Sequence, residues 1–240
     1  MKRFLVVLSM ALFMGVFVVQ AQDKPKDWAG FGHYAEQNAE ILKSGKAVDA
    51  VFMGNSITRG WVREDAKFFE ENNFVGRGIS GQTTAQMVVR FRRDVIDLKP
   101  RVVVIMAGIN DLAQNNGYIS KENILGNIES MCDLARANKI KVILCSITPS
   151  SQFPWRKHIT TCAEDIAEVN SMIKAYAEQN NIYYLDYYSA LVNDNGGMQE
   201  KWTTDGVHLK KACYGEVMEP MVLKAINKVL RTKKSYTMQQ

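Results

Sequence analysis

Residues 101–111 read Arg101-Val102-Val103-Val104-Ile105-Met106-Ala107-Gly108-Ile109-Asn110-Asp111. From Val102 to Ile105 no polar residue interrupts the run, so the strand it predicts, Arg101 to Ala107, is covered on both faces. Such strands belong to parallel sheets. The run Val142-Ile143-Leu144, inside a predicted strand Ile140 to Ile147, repeats the pattern. Shorter apolar runs at Ala50 to Met53, Phe74 to Val75 and Ile182 to Asp186 complete a set of five. Helical periodicity fits Thr83 to Leu98, Lys121 to Asn138, Ile159 to Asn180 and Lys211 to Arg231, with a further helix around His33 to Leu42. Strand and helix alternating in this way predict an α/β domain: a three-layer α/β/α sandwich around a five-stranded parallel sheet with right-handed crossovers.

In open sheets of this type ligands sit outside the carboxyl ends of the strands. Four polar segments fall there. Gly54-Asn55-Ser56-Ile57-Thr58 follows the first strand, Ile79-Ser80-Gly81 the second and Gly108-Ile109-Asn110-Asp111 the third. Asp205-Gly206-Val207-His208 comes after the fifth. Loop residues without a common purpose would be divided between the two edges of the sheet. Ser56 is a candidate nucleophile, His208 its base and Asp205 the group that orients the base. The three-residue spacing of Asp205 and His208 would place both on one face of a helical turn. Gly81 offers an unobstructed N–H and Asn110 a neutral amide donor. With the N–H of Ser56 they would hold a developing oxyanion, each such donor being worth about 3 kcal/mol in a transition state.

Each segment has a plainer reading. A serine between strand and helix commonly caps the helix, and Ser-Gly and Asn-Asp are ordinary turn chemistry. Asp111 reads as a cap or a support for its neighbours. Of the three histidines, His33 lies outside the predicted sheet and His158 lacks an acid at similar spacing. Trp61, Trp155 and Trp202, with Phe153, lie in or beside the active-edge loops, where they would either stack on a sugar or fasten loops to the body. Arg156 and Lys157 read as solvated charge. The four cysteines, Cys132, Cys145, Cys162 and Cys213, match no metal spacing and are consistent with buried thiols or bridges. No metal or other cofactor is implied.

The 240 residues, 47% hydrophobic and 23% charged, make an ordinary globular composition. The net charge of +5, with basic residues scattered, does not suggest a nucleic-acid partner. Lys2 and Arg3 precede an apolar run from Phe4 to Val19 and then Gln20-Ala21, which reads as a signal peptide over 1–21 removed after Ala21. The expected mature chain is exported, periplasmic or secreted, without stable membrane insertion. No Cys follows the apolar run to suggest a lipid anchor. The expected organisation is a lead and helix over 22–47, one domain over 48–233 and a tail over 234–240.

Gly54-Asn55-Ser56-Ile57, Ile79-Ser80-Gly81-Gln82-Thr83, Gly108-Ile109-Asn110-Asp111 and Asp205-Gly206-Val207-His208 together resemble four ordered blocks of the SGNH (GDSL-type) hydrolases. The resemblance spans Val51 to Val222. It implies a flavodoxin-like fold, a triad of Ser56, Asp205 and His208, and an oxyanion hole from Ser56, Gly81 and Asn110. Asn55 stands where the family name has Asp, and Leu209 where Pro often follows the His. The turn is not the G-x-S-x-G elbow of α/β-hydrolases, because Thr58 replaces the second Gly. The function implied is a serine esterase working through an acyl-enzyme and resembling carbohydrate O-acetylesterases, with a small-molecule or carbohydrate ester as substrate. A lysophospholipase or thioesterase of the same family, and a non-catalytic carbohydrate-binding module on this fold, are the alternatives.

Overall fold

The computed structural model describes residues 27–231; the expected signal peptide and tail lie outside them. Five parallel strands run in the order β2-β1-β3-β4-β5: β1 (Ala50–Gly54), β2 (Phe74–Gly78), β3 (Val102–Ile105), β4 (Lys141–Cys145) and β5 (Tyr183–Leu185). This is the flavodoxin-like order. In register, Met53 pairs with Ile105 and Ile105 with Leu144, so the two longest apolar runs lie side by side at the centre.

Successive residues of each strand feed two separate cores. Val51, Met53, Val103, Ile105, Val142 and Leu144 pack on one face, while Ala50, Phe52, Val102, Val104, Ile143 and Cys145 pack on the other. Burial of both sets is the physical reason these strands lack polar alternation. Each fully buried Val, Ile or Phe contributes about 1.5–3 kcal/mol of transfer free energy.

The helices are α1 (Ala35–Ser44), α2 (Ser56–Glu64), α3 (Ala66–Glu71), α4 (Thr84–Phe91), α5 (Ile109–Leu112), α6 (Lys121–Ala137), α7 (Cys162–Gln179), α8 (Tyr187–Leu191), α9 (Lys211–Cys213) and α10 (Glu219–Arg231). Helices α4, α6 and α7 cover the first face; α2, α3, α8 and α10 cover the second.

Two of the long predicted helices are interrupted. The helix expected over Thr83 to Leu98 passes after Phe91 into a π-helical turn, Arg92–Ile96, and that over Lys211 to Arg231 contains another, Tyr214–Met218. The helix expected from Ile159 starts at Cys162. Strand β2 runs three residues beyond the predicted Phe74 to Val75, because Gly76, Arg77 and Gly78 pair with Phe52, Met53 and Gly54. Helices α3, α5 and α8 are too short to show a period in the sequence.

All four cysteines are free and buried. Burial pushes the thiols of Cys132, Cys162 and Cys213 up to about 12 and that of Cys145 up as well. They serve as apolar packing.

Candidate active site

The site is assembled where the strands end. Strand β1 stops at Gly54, and Asn55 turns the chain into α2 with its side-chain oxygen accepting the N–H of Ile57 at 3.0 Å. Asn55, and not Ser56, is therefore the cap. An Asn oxygen does this as well as an Asp oxygen, so the departure from the family letter leaves the turn intact. Ser56 occupies the first helical position, whose N–H has no carbonyl within the helix to bond.

The corner is tight because two glycines remove side chains from it. A Cβ on Gly78 would stand 2.4 Å from the Arg59 nitrogen and 2.5 Å from the Asn55 oxygen. One on Gly54 would meet Thr58 Oγ1 at 2.1 Å. The first turn of α2 thus rests directly on the backbone at the ends of β1 and β2.

His208 Nε2 lies 3.0 Å from Ser56 Oγ, and its Nδ1 lies 2.7 Å from Asp205 Oδ2. Asp205 Oδ1 accepts two further bonds, from the backbone N–H of Val207 at 2.9 Å and of His208 at 2.7 Å. Partial burial would raise the Asp205 pKa. The bonds from the His208 side chain, the two N–H groups and the imidazole charge outweigh it and hold the carboxyl below its usual range. Asp205 is thus ionised throughout the range in which an imidazole titrates.

The segment holding Asp205 and His208 is not the helical turn expected from their spacing. Gly206 has φ of 85°, which stops a helix, and an antiparallel bridge between Thr203 and Leu209 closes the loop. Thr203 Oγ1 braces it from within, accepting the Gly206 N–H at 2.9 Å and donating to the His208 carbonyl at 2.8 Å. Leu209, where the family often has Pro, is buried on the second face of the sheet.

Gly81 has φ of 77°, and its N–H has no acceptor among the described residues. Asn110, at the second position of α5, is 3% exposed. One hydrogen of its Nδ2 goes to the Gln82 carbonyl at 2.9 Å, and the other is without an acceptor among the described residues. Its Oδ1 accepts from Asn115 Nδ2 at 3.0 Å. The site therefore presents uncommitted N–H donors from two loops beside the Ser56 turn.

Asp111, next to Asn110, points the other way. Its carboxylate takes the Thr84 N–H at 3.0 and 2.9 Å and the Thr84 hydroxyl at 2.6 Å, pinning the start of α4 to α5. Burial, opposed by these bonds, raises its pKa from 3.8 to about 6. Because folding raises this pKa, the native state binds the proton more tightly than the unfolded chain between those values. Stability from this group is therefore fully present below pH 3.8 and is lost as pH rises to about 6. Denaturant titrations from pH 4 to pH 7 are expected to show that decline and Asp111→Asn to flatten it. An unchanged slope in the variant would refute the assignment.

Of the three tryptophans expected at the substrate, the structure brings one to the site. Trp155 is 40% exposed, its ring centroid is 6.4 Å from that of His208, and its Nε1 donates to Asn115 Oδ1 at 2.9 Å. Trp61 is a correction. It is 1% exposed, stacked between Phe68 and Tyr214, and its indole N–H is taken by Glu219, so it presents no face to a ligand. Trp202 packs half-buried on the second core beneath Lys201, which makes it a loop fastener. Phe153 is fully buried beside Trp155, and Arg156 Nε donates to the Ala113 carbonyl at 3.3 Å.

Asn115, Thr203 and the buried Arg90 escaped the sequence reading. Arg90 donates to the Gln82 side chain at 2.5 Å, to Asp94 at 2.7 Å, and to the Gly54 and Arg77 carbonyls at 3.1 and 2.9 Å. It ties the end of β1 to the loop that carries Gly81. Among the described residues no group of three His, Cys, Asp or Glu side chains is disposed to hold a metal ion, and no helix is long and apolar enough to cross a membrane.

The model of the GDSL-like lipase/acylhydrolase family matches residues 52–215. A solved protein of Bacteroides fragilis NCTC 9343 is 47% identical, covering 86% of this chain and 100% of its own, with a TM-score of 0.82. A GDSL-like lipase of Bacteroides thetaiotaomicron VPI-5482 is 46% identical over 83% of this chain and 98% of its own, with a TM-score of 0.79. The lipoprotein YqeF of Bacillus subtilis (strain 168) is 29% identical over 171 residues, 64% of this chain; the match spans 61% of that relative's length. On the family match over 52–215 and the fold that carries it, the chain belongs to the GDSL-like lipase/acylhydrolase family of serine hydrolases.

Proposed function

We propose that this protein is an exported carboxylic ester hydrolase that removes short acyl groups, acetyl foremost, from carbohydrate esters. The observation that carries the hydrolytic part is the unbroken line from Ser56 Oγ through His208 to Asp205, at 3.0 and 2.7 Å, with uncommitted donors at Gly81 and Asn110. His208 Nε2 takes the Ser56 proton as Oγ attacks the ester carbonyl. The N–H groups of Ser56 and Gly81 and the Asn110 amide receive the oxyanion. His208 then protonates the leaving alcohol, and a water deprotonated by the same imidazole releases the acid.

The carbohydrate preference rests on Trp155, whose exposed indole beside His208 offers a flat apolar face of the kind on which sugar rings stack. The two-point attachment of its loop, through Asn115 and Arg156, gives that face a fixed position. Export is supported by Lys2, Arg3 and the apolar run from Phe4 to Val19.

The test is a series of p-nitrophenyl esters from acetate to octanoate, followed by a panel of acetylated sugars. kcat/KM is expected to fall with chain length and to be higher on acetylated sugars than on p-nitrophenyl acetate. A rate that climbs with chain length would overturn the acetyl preference and point to a lysophospholipase or thioesterase instead.

A further inference from the structure

The Asn110 side chain has to present nitrogen, and not oxygen, to an oxyanion, and an amide can rotate by half a turn at almost no intrinsic cost. We infer that Asn115 is the positioning residue that sets this orientation, and that Trp155 holds Asn115 in place. The inference rests on the reading of Asn110 as an oxyanion donor.

Asn115 Nδ2 stands between the two partners of the hole, 3.0 Å from Asn110 Oδ1 and 3.3 Å from the Gly81 carbonyl oxygen. Its two hydrogens serve one acceptor each. The Asn110 oxygen is thereby engaged by Asn115, and the Gln82 carbonyl receives one Nδ2 hydrogen. A flipped amide would set oxygen against the Gln82 carbonyl and NH₂ against the Asn115 NH₂, losing both bonds. The remaining Nδ2 hydrogen is left for substrate.

Asn115 is itself oriented from both ends. Its backbone N–H donates to the Asn110 carbonyl at 3.0 Å, and its Oδ1 accepts the Trp155 indole N–H at 2.9 Å. A continuous chain of donors therefore runs from the indole beside His208 through Asn115 to the Asn110 amide. The loops after β3 and β4 are joined at the point where the substrate would sit. Trp155 thus has two jobs: its face meets the ligand, and its N–H fixes the donor.

Kinetics on p-nitrophenyl acetate test this through a cycle of Asn115→Ala, Asn110→Ala and the double variant. Asn115→Ala is expected to lower kcat about tenfold with KM within about twofold, because the interaction it supports exists only in the transition state. Asn110→Ala is expected to lower kcat by about 10²–10³. In the Asn110→Ala background Asn115→Ala should then have no further effect. Multiplicative losses in the double variant, a loss confined to KM, or an unchanged kcat in Asn115→Ala would each overturn the proposal.

A second cycle covers the case in which Asn115→Ala misfolds. Trp155→Phe keeps an aromatic face, smaller than the indole, and deletes the N–H; whatever it does to KM, it should lower kcat severalfold in the wild type and leave kcat unaltered in Asn115→Ala or Asn110→Ala. Persistence of its effect in the Asn110→Ala background would also overturn the proposal. Since none of these variants touches Ser56, the positioning role can fail while a Ser56-dependent turnover stands.

Discussion

Ser56→Ala lowers kcat on p-nitrophenyl acetate by about 10⁴-fold or more, the scale on which serine hydrolases lose activity when the nucleophile is removed. Removing Oγ leaves His208 with nothing to deprotonate at 3.0 Å and forces any remaining reaction through water held by the oxyanion donors. Substrate affinity should change little, because Oγ contributes to bond formation more than to ground-state binding. His208→Ala should fall to a similar level, and the two losses should not multiply in the double variant, since both residues serve one proton transfer. The measurement is initial-rate kinetics on protein freed of contaminating esterases. Activity of Ser56→Ala within tenfold of wild type would dismiss the serine mechanism.

Arg90→Met destabilises the fold by about 3–5 kcal/mol, the usual consequence of removing one partner from a buried ion pair. The Arg90 and Asp94 side chains are 0% and 3% exposed and 2.7 Å apart. Methionine would fill the volume of the stem and leave the Asp94 carboxylate, the Gln82 side chain and the carbonyls of Gly54 and Arg77 without their donor. Asp94 would keep the Asn38 amide at 2.8 Å, and the Gly54 carbonyl the Ile79 N–H at 3.3 Å. Lysine is no remedy, because a point charge cannot reach four acceptors spread in the plane of a guanidinium. Urea denaturation of wild type, Arg90→Met and Arg90→Lys gives the comparison. A loss below about 1 kcal/mol in Arg90→Met would show that the network contributes nothing net.

The sheet was legible in the sequence because burial on two faces forces an uninterrupted apolar run, and these runs are short and rich in β-branched Val and Ile, as strands are and buried helices are not. The placement of Ser56, Gly81 and Asn110 followed from the rule that such sheets present their ligands at the carboxyl edge. What the sequence hid has a common cause. Arg90, in a helical pattern, looks like any solvated charge, and only the three-dimensional closure of α4 on the ends of β1 and β2 reveals four acceptors around it. Trp61 lies five residues past Ser56, yet it faces Phe68 and Tyr214, the latter 153 positions away. The Asp205 to His208 spacing suits a helical turn equally well, and the choice was made by Gly206 and by a bridge to Leu209. Asn115 sits in a loop rich in Asn, where nothing distinguishes a clamp from ordinary turn chemistry.

The glycine corner at Gly54 and Gly78 separates two things that enzymes often keep entangled. Ser56 is seated by main chain against main chain at the ends of β1 and β2, while the side chains around it, Asn110, Asn115, Trp155 and His208, come from the segments after β3, β4 and β5. Exposed positions of those loops, Tyr118 and Lys157 among them, are therefore variable parts in a mechanical sense, as long as Asn115, Trp155 and the buried Phe153 are kept. A library that varies those exposed positions and holds the corner, Asn115 and Trp155 fixed would sample new substrates on an unchanged reaction, whereas any side chain added at Gly78 would displace the first turn of α2 and take Ser56 with it.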